Sequence, residues 1–199
     1  ISSSGTDTYS AIAAAIGSLK GPLHGGANLQ VMRMMDDIKA NVNNWSDKDE
    51  VADYLRKILR KEAFDKSGKI YGIGHAIYTL SDPRAVLLKE KARALAAEKG
   101  KNDEFNLYEA IEELAPSIFA EFKGENAKVI SPNVDFYSGF VYQCINIPVE
   151  LYTPLFAVAR IAGWCAHRLE EITFSAKRII RPAYKNVCER TSYIPLNKR

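Results

Sequence analysis

Apolar residues recur at intervals of three and four along nearly the whole chain, and this periodicity restricts the fold more than any other feature of the sequence. Tyr9, Ile12, Ala13, Ile16 and Leu19 open the pattern behind a cap at Thr6 or Asp7. This first helix, 8–19, stops before Gly21-Pro22. A second is predicted over 27–40. A third follows Ser46, with Val51, Leu55, Ile58 and Leu59 on one face and Asp49 spaced from Ser46 as in a capping box. Asp82-Pro83 starts a fourth, 84–98, which Lys99-Gly100 closes. A fifth, 107–122, carries Pro116, which kinks or splits it. The sixth covers 135–145, and the seventh, 153–172, is the most apolar. Alternating runs joined by Asn-Gly or Asp-Gly are absent, so an all-α fold is expected.

Composition narrows the function classes. The 199 residues carry 27 basic and 24 acidic side chains, a formal net charge of +3. The charges are dispersed, which is too mild for a nucleic-acid partner and suits a small anionic substrate instead. Three cysteines, Cys144, Cys165 and Cys188, form no C-x-x-C pair, so neither a zinc site nor a disulfide framework is expected, and a reducing compartment is the simpler reading. No apolar run approaches the roughly 20 residues of a membrane span. Residues 1–10 lack the basic and apolar regions of a signal peptide, so the chain reads as cytoplasmic.

Glycine-bearing loops hold the candidate chemistry. In GPLHGGAN, 21–28, His24 sits among Gly21, Gly25 and Gly26 just before a helix whose positive end disfavours a protonated imidazole by about 0.3–1 kcal/mol. A neutral ring can donate an N–H to a carbonyl oxygen; the plainer role is a loop histidine bonded to backbone. In YGIGHAIYTLSDPRA, 71–85, Gly72 and Gly74 precede His75, and Arg84 lies in the first turn of the next helix. The Gly72-Ile73-Gly74 backbone could cradle a planar or phosphate-bearing ligand, or be a tight turn with Arg84 paired to a surface carboxylate such as Glu90 or Asp82. In KVISPNVDFYSG, 128–139, Asp135 stands at a helix start, where capping is the commonest task of an aspartate; Phe136 and Tyr137 could instead desolvate it into a better base.

Arg160 falls in the middle of the apolar seventh helix, where a charge needs an anion, either a substrate or a buried partner such as Glu150 or Glu170. Arg181 precedes Pro182 at the end of a helix, a position with a surface role by default. Trp164 and His167, on the Arg160 face, are expected in the core.

Each motif alone admits a structural role, but their order is specific. GPLHGGAN, then GxGHxxYxxxDPRA, PNVDFYSG, IPVExYTPLFAxARxxGWCAHxxE and RP, spread over 1–184, resemble the C-terminal half of the citrate synthase family. The resemblance implies an acyltransferase of the tricarboxylic acid cycle that condenses acetyl-CoA with oxaloacetate, with no cofactor and no metal. Asp135 would take the methyl proton, His24 would stabilise the enolate, and His75 would bind the oxaloacetate carbonyl. Arg84 and Arg160 would hold carboxylates, and Arg181 would reach in from the other subunit of a homodimer. Lys128, Asn133 and the Gly72-Ile73-Gly74 backbone would face CoA. The implied architecture is a small domain, 29–139, inserted between large-domain segments 1–28 and 140–199, with the dimer interface in large-domain helices including the first.

Two departures stand out. The family's large domain begins upstream of this sequence and holds a further oxaloacetate-binding histidine, so the chain is expected to be a fragment, inactive alone. Ala76 stands where many bacterial members carry Arg, and Thr79 where some members have a CoA-binding Arg. A 2-methylcitrate synthase using propionyl-CoA, a citryl-CoA lyase module and a non-catalytic CoA-binding fragment are the competing readings.

Overall fold

In the computed structural model, residues 1–21, 24–78, 80–124, 129–174, 178–185 and 187–198 are described. Among them the chain forms α1 (Thr8–Leu19), α2 (Ala27–Asn41), α3 (Lys48–Leu59), α4 (Pro83–Lys99), α5 (Asn102–Lys123), α6 (Val134–Cys144) and α7 (Tyr152–Thr173), with short 3₁₀ turns at Ser2–Ser4, Val149–Leu151 and Leu196–Lys198. The expected all-α class holds: the β-type pairing among the described residues is one isolated antiparallel bridge, Ile73 with Pro132.

Helix starts follow side-chain capping. Asp7 caps α1 through Ser10 N, 2.9 Å away, and Asp82 caps α4 through Arg84 N at 3.0 Å, with Pro83 in the first turn. Gly100 closes α4 in the left-handed region, φ 66°. Three expectations need correction. The third helix is capped by Asp47, which accepts from Asp49 N and Glu50 N; there is no Ser46–Asp49 box, and Glu50 instead reaches back to Asn43 N and Asn44 N. The fifth helix starts five residues earlier than its clearest periodicity, at Asn102. Pro116 does not split it: Ala115 and Ile118 are buried around an exposed Pro116, so packing holds the turns on either side.

The core lies between α2 and α6. Val31, Met34, Met35 and Ile38 of α2 meet Leu55 and Ile58 of α3, Phe105, Tyr108 and Ile111 of α5, and Phe136, Tyr137 and Phe140 of α6. Tyr108 sits at the centre, its ring edge-on to Phe136 at 5.3 Å and to Phe140 at 5.2 Å. α4 buries only Ala85, Ala92 and Ala96, small residues that let it lie close to α5 and α6. Its outer face is tied by Lys89 to Glu112 at 2.7 Å and by Arg93 to Glu109 at 2.6 Å.

α1 and α7 pack on each other outside that core. Arg168 of α7 donates to Ser2 O and Ser2 Oγ, both at 3.0 Å, and to Thr6 O. Burial is sparse here: Leu19 is the buried residue of α1 and Tyr152 that of α7. The expected core positions Trp164 and His167 are therefore half-buried and exposed respectively, His167 pairing at 3.4 Å with Glu170. No described helix is long and apolar enough to cross a membrane.

Candidate active site

Three chain segments that are distant in sequence converge on one cavity of about 320 Å³: the turn before α2, the 71–75 loop with the start of α4, and the start of α6, all facing the first half of α7. His24, His75, Arg84, Asn133, Asp135 and Arg160 line it together, with Asn28, Ser138, Tyr142, Tyr152 and Phe156.

The turn carrying His24 is pinned by its neighbours. His24 N donates to Gly21 O at 3.0 Å, and Gly25 O accepts from Thr153 Oγ1 of α7 at 3.0 Å. A Cβ on Gly25 would collide with the carbonyl oxygen of Leu19, so a glycine is needed for the turn to lie against the end of α1. The imidazole of His24 is exposed at the cavity and makes no side-chain hydrogen bond among the described residues, so the backbone-bonded loop histidine is not the arrangement found.

His75 is held differently. Its Nδ1 accepts from Ile77 N at 3.0 Å and Tyr78 N at 3.1 Å. A nitrogen that accepts cannot carry the proton, so the neutral ring keeps its N–H on Nε2. Gly72, with φ 80°, adopts a backbone conformation that suits glycine, and a Cβ there would come within 2.8 Å of both Phe136 and Val31. The loop then locks to the start of α6: Gly74 N donates to Ser131 O and Asn133 N to Gly72 O, both at 2.8 Å, and Asn133 Nδ2 to Gly74 O at 2.9 Å. The Gly74 N–H expected to be offered to a ligand is thus committed to the protein.

That lock also shows which residue caps α6. Asn133 is the cap of α6, accepting from Asp135 N at 2.9 Å, so capping does not occupy the Asp135 carboxylate. Burial pushes that carboxyl above its ordinary range, against the opposing pull of the Arg84 guanidinium and His24. Phe136 and Tyr137 are buried in the core. A desolvated carboxylate with its lone pairs free is a stronger base than a surface aspartate.

Arg84 forks onto Asp82 through Nε at 3.0 Å and Nη2 at 2.8 Å, leaving Nη1 uncommitted at the cavity. The partner is one of the two carboxylates anticipated, but it is buried, 1% exposed, and not a surface group. The guanidinium holds the Asp82 carboxyl below its usual range. Arg160 departs from expectation: it is exposed, lies over the Phe156 ring at 5.3 Å, and pairs with no carboxylate among the described residues, Glu150 and Glu170 included. A cation without an anion at a cavity mouth is suited to an anionic ligand.

Arg181 is in an exposed non-helical segment and is not among the cavity-lining residues, so the helix end expected around it is not formed. Lys128 and Thr79 fall outside the described residues. No cluster of three or more His, Cys, Asp or Glu among the described residues could hold a metal. Asn28, Ser138, Tyr142, Tyr152 and Phe156 escaped the sequence reading. The first three had a signal: Asn28 belongs to the GPLHGGAN motif, and Ser138 and Tyr142 follow Asp135 at i+3 and i+7 on one helix face.

Comparison with known proteins bears on the family of the chain. The family described as citrate synthase, C-terminal domain, matches residues 1–183. The citrate synthase of Synechocystis sp. is 42% identical over 98% of this chain and 44% of its own length, and 2-methylcitrate synthase 1 of Corynebacterium glutamicum is 39% identical over 100% and 46%. In structure, citrate synthase from Thermotoga maritima superposes with a TM-score of 0.71 at 36% identity, over 100% of this chain and 49% of that one. The Thermoplasma acidophilum citrate synthase, a ternary complex with carboxymethyl coenzyme A and oxaloacetate, gives 0.69 at 30% identity, over 99% and 48%. The chain therefore spans just under half the length of these relatives. With a sequence match along nearly its whole length and a shared helical fold, the chain belongs to the citrate synthase family and carries its C-terminal domain.

Proposed function

We propose that the protein carrying this chain is a citrate synthase, which joins the methyl carbon of acetyl-CoA to the keto carbon of oxaloacetate and hydrolyses the resulting citryl-CoA. The observation that carries this reading is the single cavity lined by one raised carboxyl, Asp135, two histidines and two arginines. A thioester α-proton is weakly acidic, so a base alone is insufficient: the developing enolate must be stabilised as the proton leaves.

In this reading Asp135 removes the proton and His24, whose ring is unengaged, donates to the thioester oxygen. His75 directs its Nε2–H at the oxaloacetate keto oxygen and polarises it for attack. Arg84 Nη1 and the unpaired Arg160 take the two carboxylates, Arg160 offering the planar fork that a carboxylate matches and Arg84 the N–H groups that its pairing with Asp82 leaves over. Arg181, which does not line the cavity within this chain, acts from the partner subunit of a homodimer. Asn133, the Gly72-Ile73-Gly74 loop and Lys128 form the CoA side. Residues 29–139 act as a small domain that closes over segments 1–28 and 140–199 and excludes water until condensation is complete.

A 2-methylcitrate synthase is the second reading, favoured by the 39% identity to the Corynebacterium enzyme of that name. Purified full-length protein, given oxaloacetate with acetyl-CoA or propionyl-CoA and followed by release of free thiol, separates the two. Faster turnover of acetyl-CoA is expected. A strong preference for propionyl-CoA would install the second reading in its place.

A further inference from the structure

One contact in the cavity wall links the two groups that must act on the same acetyl group. Asn28 lies in the first turn of α2, four residues after His24; Ser138 lies on α6, one turn after Asp135. Asn28 Nδ2 donates to Ser138 Oγ, although 110 residues separate them. Ser138 is 7% exposed, and both residues line the cavity. The helices are in close contact at this point: a Cβ on Gly139 would come within 2.5 Å of Met32 Sδ and 3.0 Å of Asn28 Oδ1. Asn28 Oδ1 itself is buried without a hydrogen-bond partner.

A buried amide with one of its two polar ends unsatisfied is a net cost in folding. Alanine at 28 would avoid that cost, so the structure retains a group whose return lies elsewhere. Resting on the citrate synthase reading, we propose that Asn28 and Ser138 are positioning residues: their amide–hydroxyl clamp sets the distance between the His24 turn and Asp135. Neither touches the reacting atoms. Deprotonation at the methyl carbon and stabilisation of the thioester oxygen occur two atoms apart on one small group, so a base on α6 and a donor in the turn before α2 must be held in register. A misplacement on the order of 1 Å in such a constellation costs up to about 100-fold in rate. Oxaloacetate, by contrast, would be held by His75, Arg84 and Arg160, none of which contacts the clamp through a hydrogen bond.

The test uses the full-length enzyme. Asn28→Ala and Ser138→Ala are each expected to lower kcat about 10- to 100-fold. They leave KM for oxaloacetate within about 3-fold and slow the exchange of solvent deuterium into the acetyl-CoA methyl group. The double variant should lose no more than the worse single one, because both remove the same bond. Unchanged kcat in either single variant, losses that multiply in the double, or a fall in kcat that merely tracks the folded fraction would each overturn the proposal. If an alanine variant does not fold, Ser138→Cys decides, since it keeps the volume but accepts weakly: reduced kcat with KM held supports the clamp, and full kcat overturns it. A wild-type enzyme that condenses neither acetyl-CoA nor propionyl-CoA would instead remove the citrate synthase reading, and the clamp with it, before any variant is examined.

Discussion

Helices α2 to α6 and the pair α1 and α7 share a similar apolar periodicity yet end in opposite surroundings. In the first group Val31, Leu55, Leu107 and Phe136 are each 0% exposed; in the second, Tyr9 is 89%, Val158 69% and Leu169 60% exposed. The difference teaches that periodicity states which face of a helix seeks cover, and says nothing of where that cover comes from. For α2, α3 and α6 the cover is supplied within these 199 residues, while α4 leaves Leu87 63% exposed. For α1 and α7 it is not, and the cavity lies on the seam between the two regions, with Leu19, Tyr152, Phe156 and Arg160 contributed from the less covered side.

The largest expected effect tests whether the well-packed region suffices for chemistry. Citrate formation by the 199-residue chain alone should be undetectable under conditions where the full-length protein turns over, and measurable product would mean that α2 to α6, with the turn before α2 and one face of α7, hold a complete site. Next comes stability. Leu55→Ala should destabilise by about 2–5 kcal/mol in urea unfolding, because a fully buried leucine leaves a cavity that α2 and α5 cannot collapse to fill. A loss under 1 kcal/mol would mean that the core is looser than its burial indicates.

Asp135→Asn in the full-length enzyme should lower kcat by about 100-fold or more, as for loss of a general base. Near-normal turnover would return the residue to a helix-end role. The same carboxyl predicts a pH effect. Burial raises its pKa, so as pH falls activity is lost earlier than for an ordinary aspartate, and Arg84→Gln, which removes the charge holding the pKa down, should shift that acid limb of kcat further up. A downward shift would mean that Arg84 does not act on Asp135 through its charge. The smallest effect belongs to the exposed side: Val158→Ala should alter the stability of the isolated chain by no more than about 0.5 kcal/mol. A larger loss would reveal cover on α7 that this chain does not display.

Much of the fold was legible locally. Asp82-Pro83 and Lys99-Gly100 bound α4 at the expected positions because a cap and a left-handed glycine act within one turn. Where neighbouring residues can cap equally well, the sequence misled: Ser46 with Asp49 read as a capping box, whereas Asp47 is the cap and Glu50 reaches back to Asn43 and Asn44. Pro116 read as a kink or a split, undecided because the packing of Ala115 and Ile118 on either side is not a property of the segment itself. His167 read as core because its helix is apolar, although the helix lies at the surface of this chain.

The candidate site divides in the same way. That residues 21–28, 71–85 and 128–139 bear a histidine or an acid among glycines or turn residues, and that the ordered set resembles one family, was decided by the sequence, since residue types and their spacing suffice for it. That Asn133 and not Asp135 caps α6, that Nδ1 of His75 is occupied and Nε2 is not, that Arg84 shares itself with a buried Asp82, and that Asn28 meets Ser138 were decided only by the tertiary structure. A hydrogen bond is fixed by positions in space to within a few tenths of an ångström, and for groups brought together across up to 110 residues of chain only packing sets those positions.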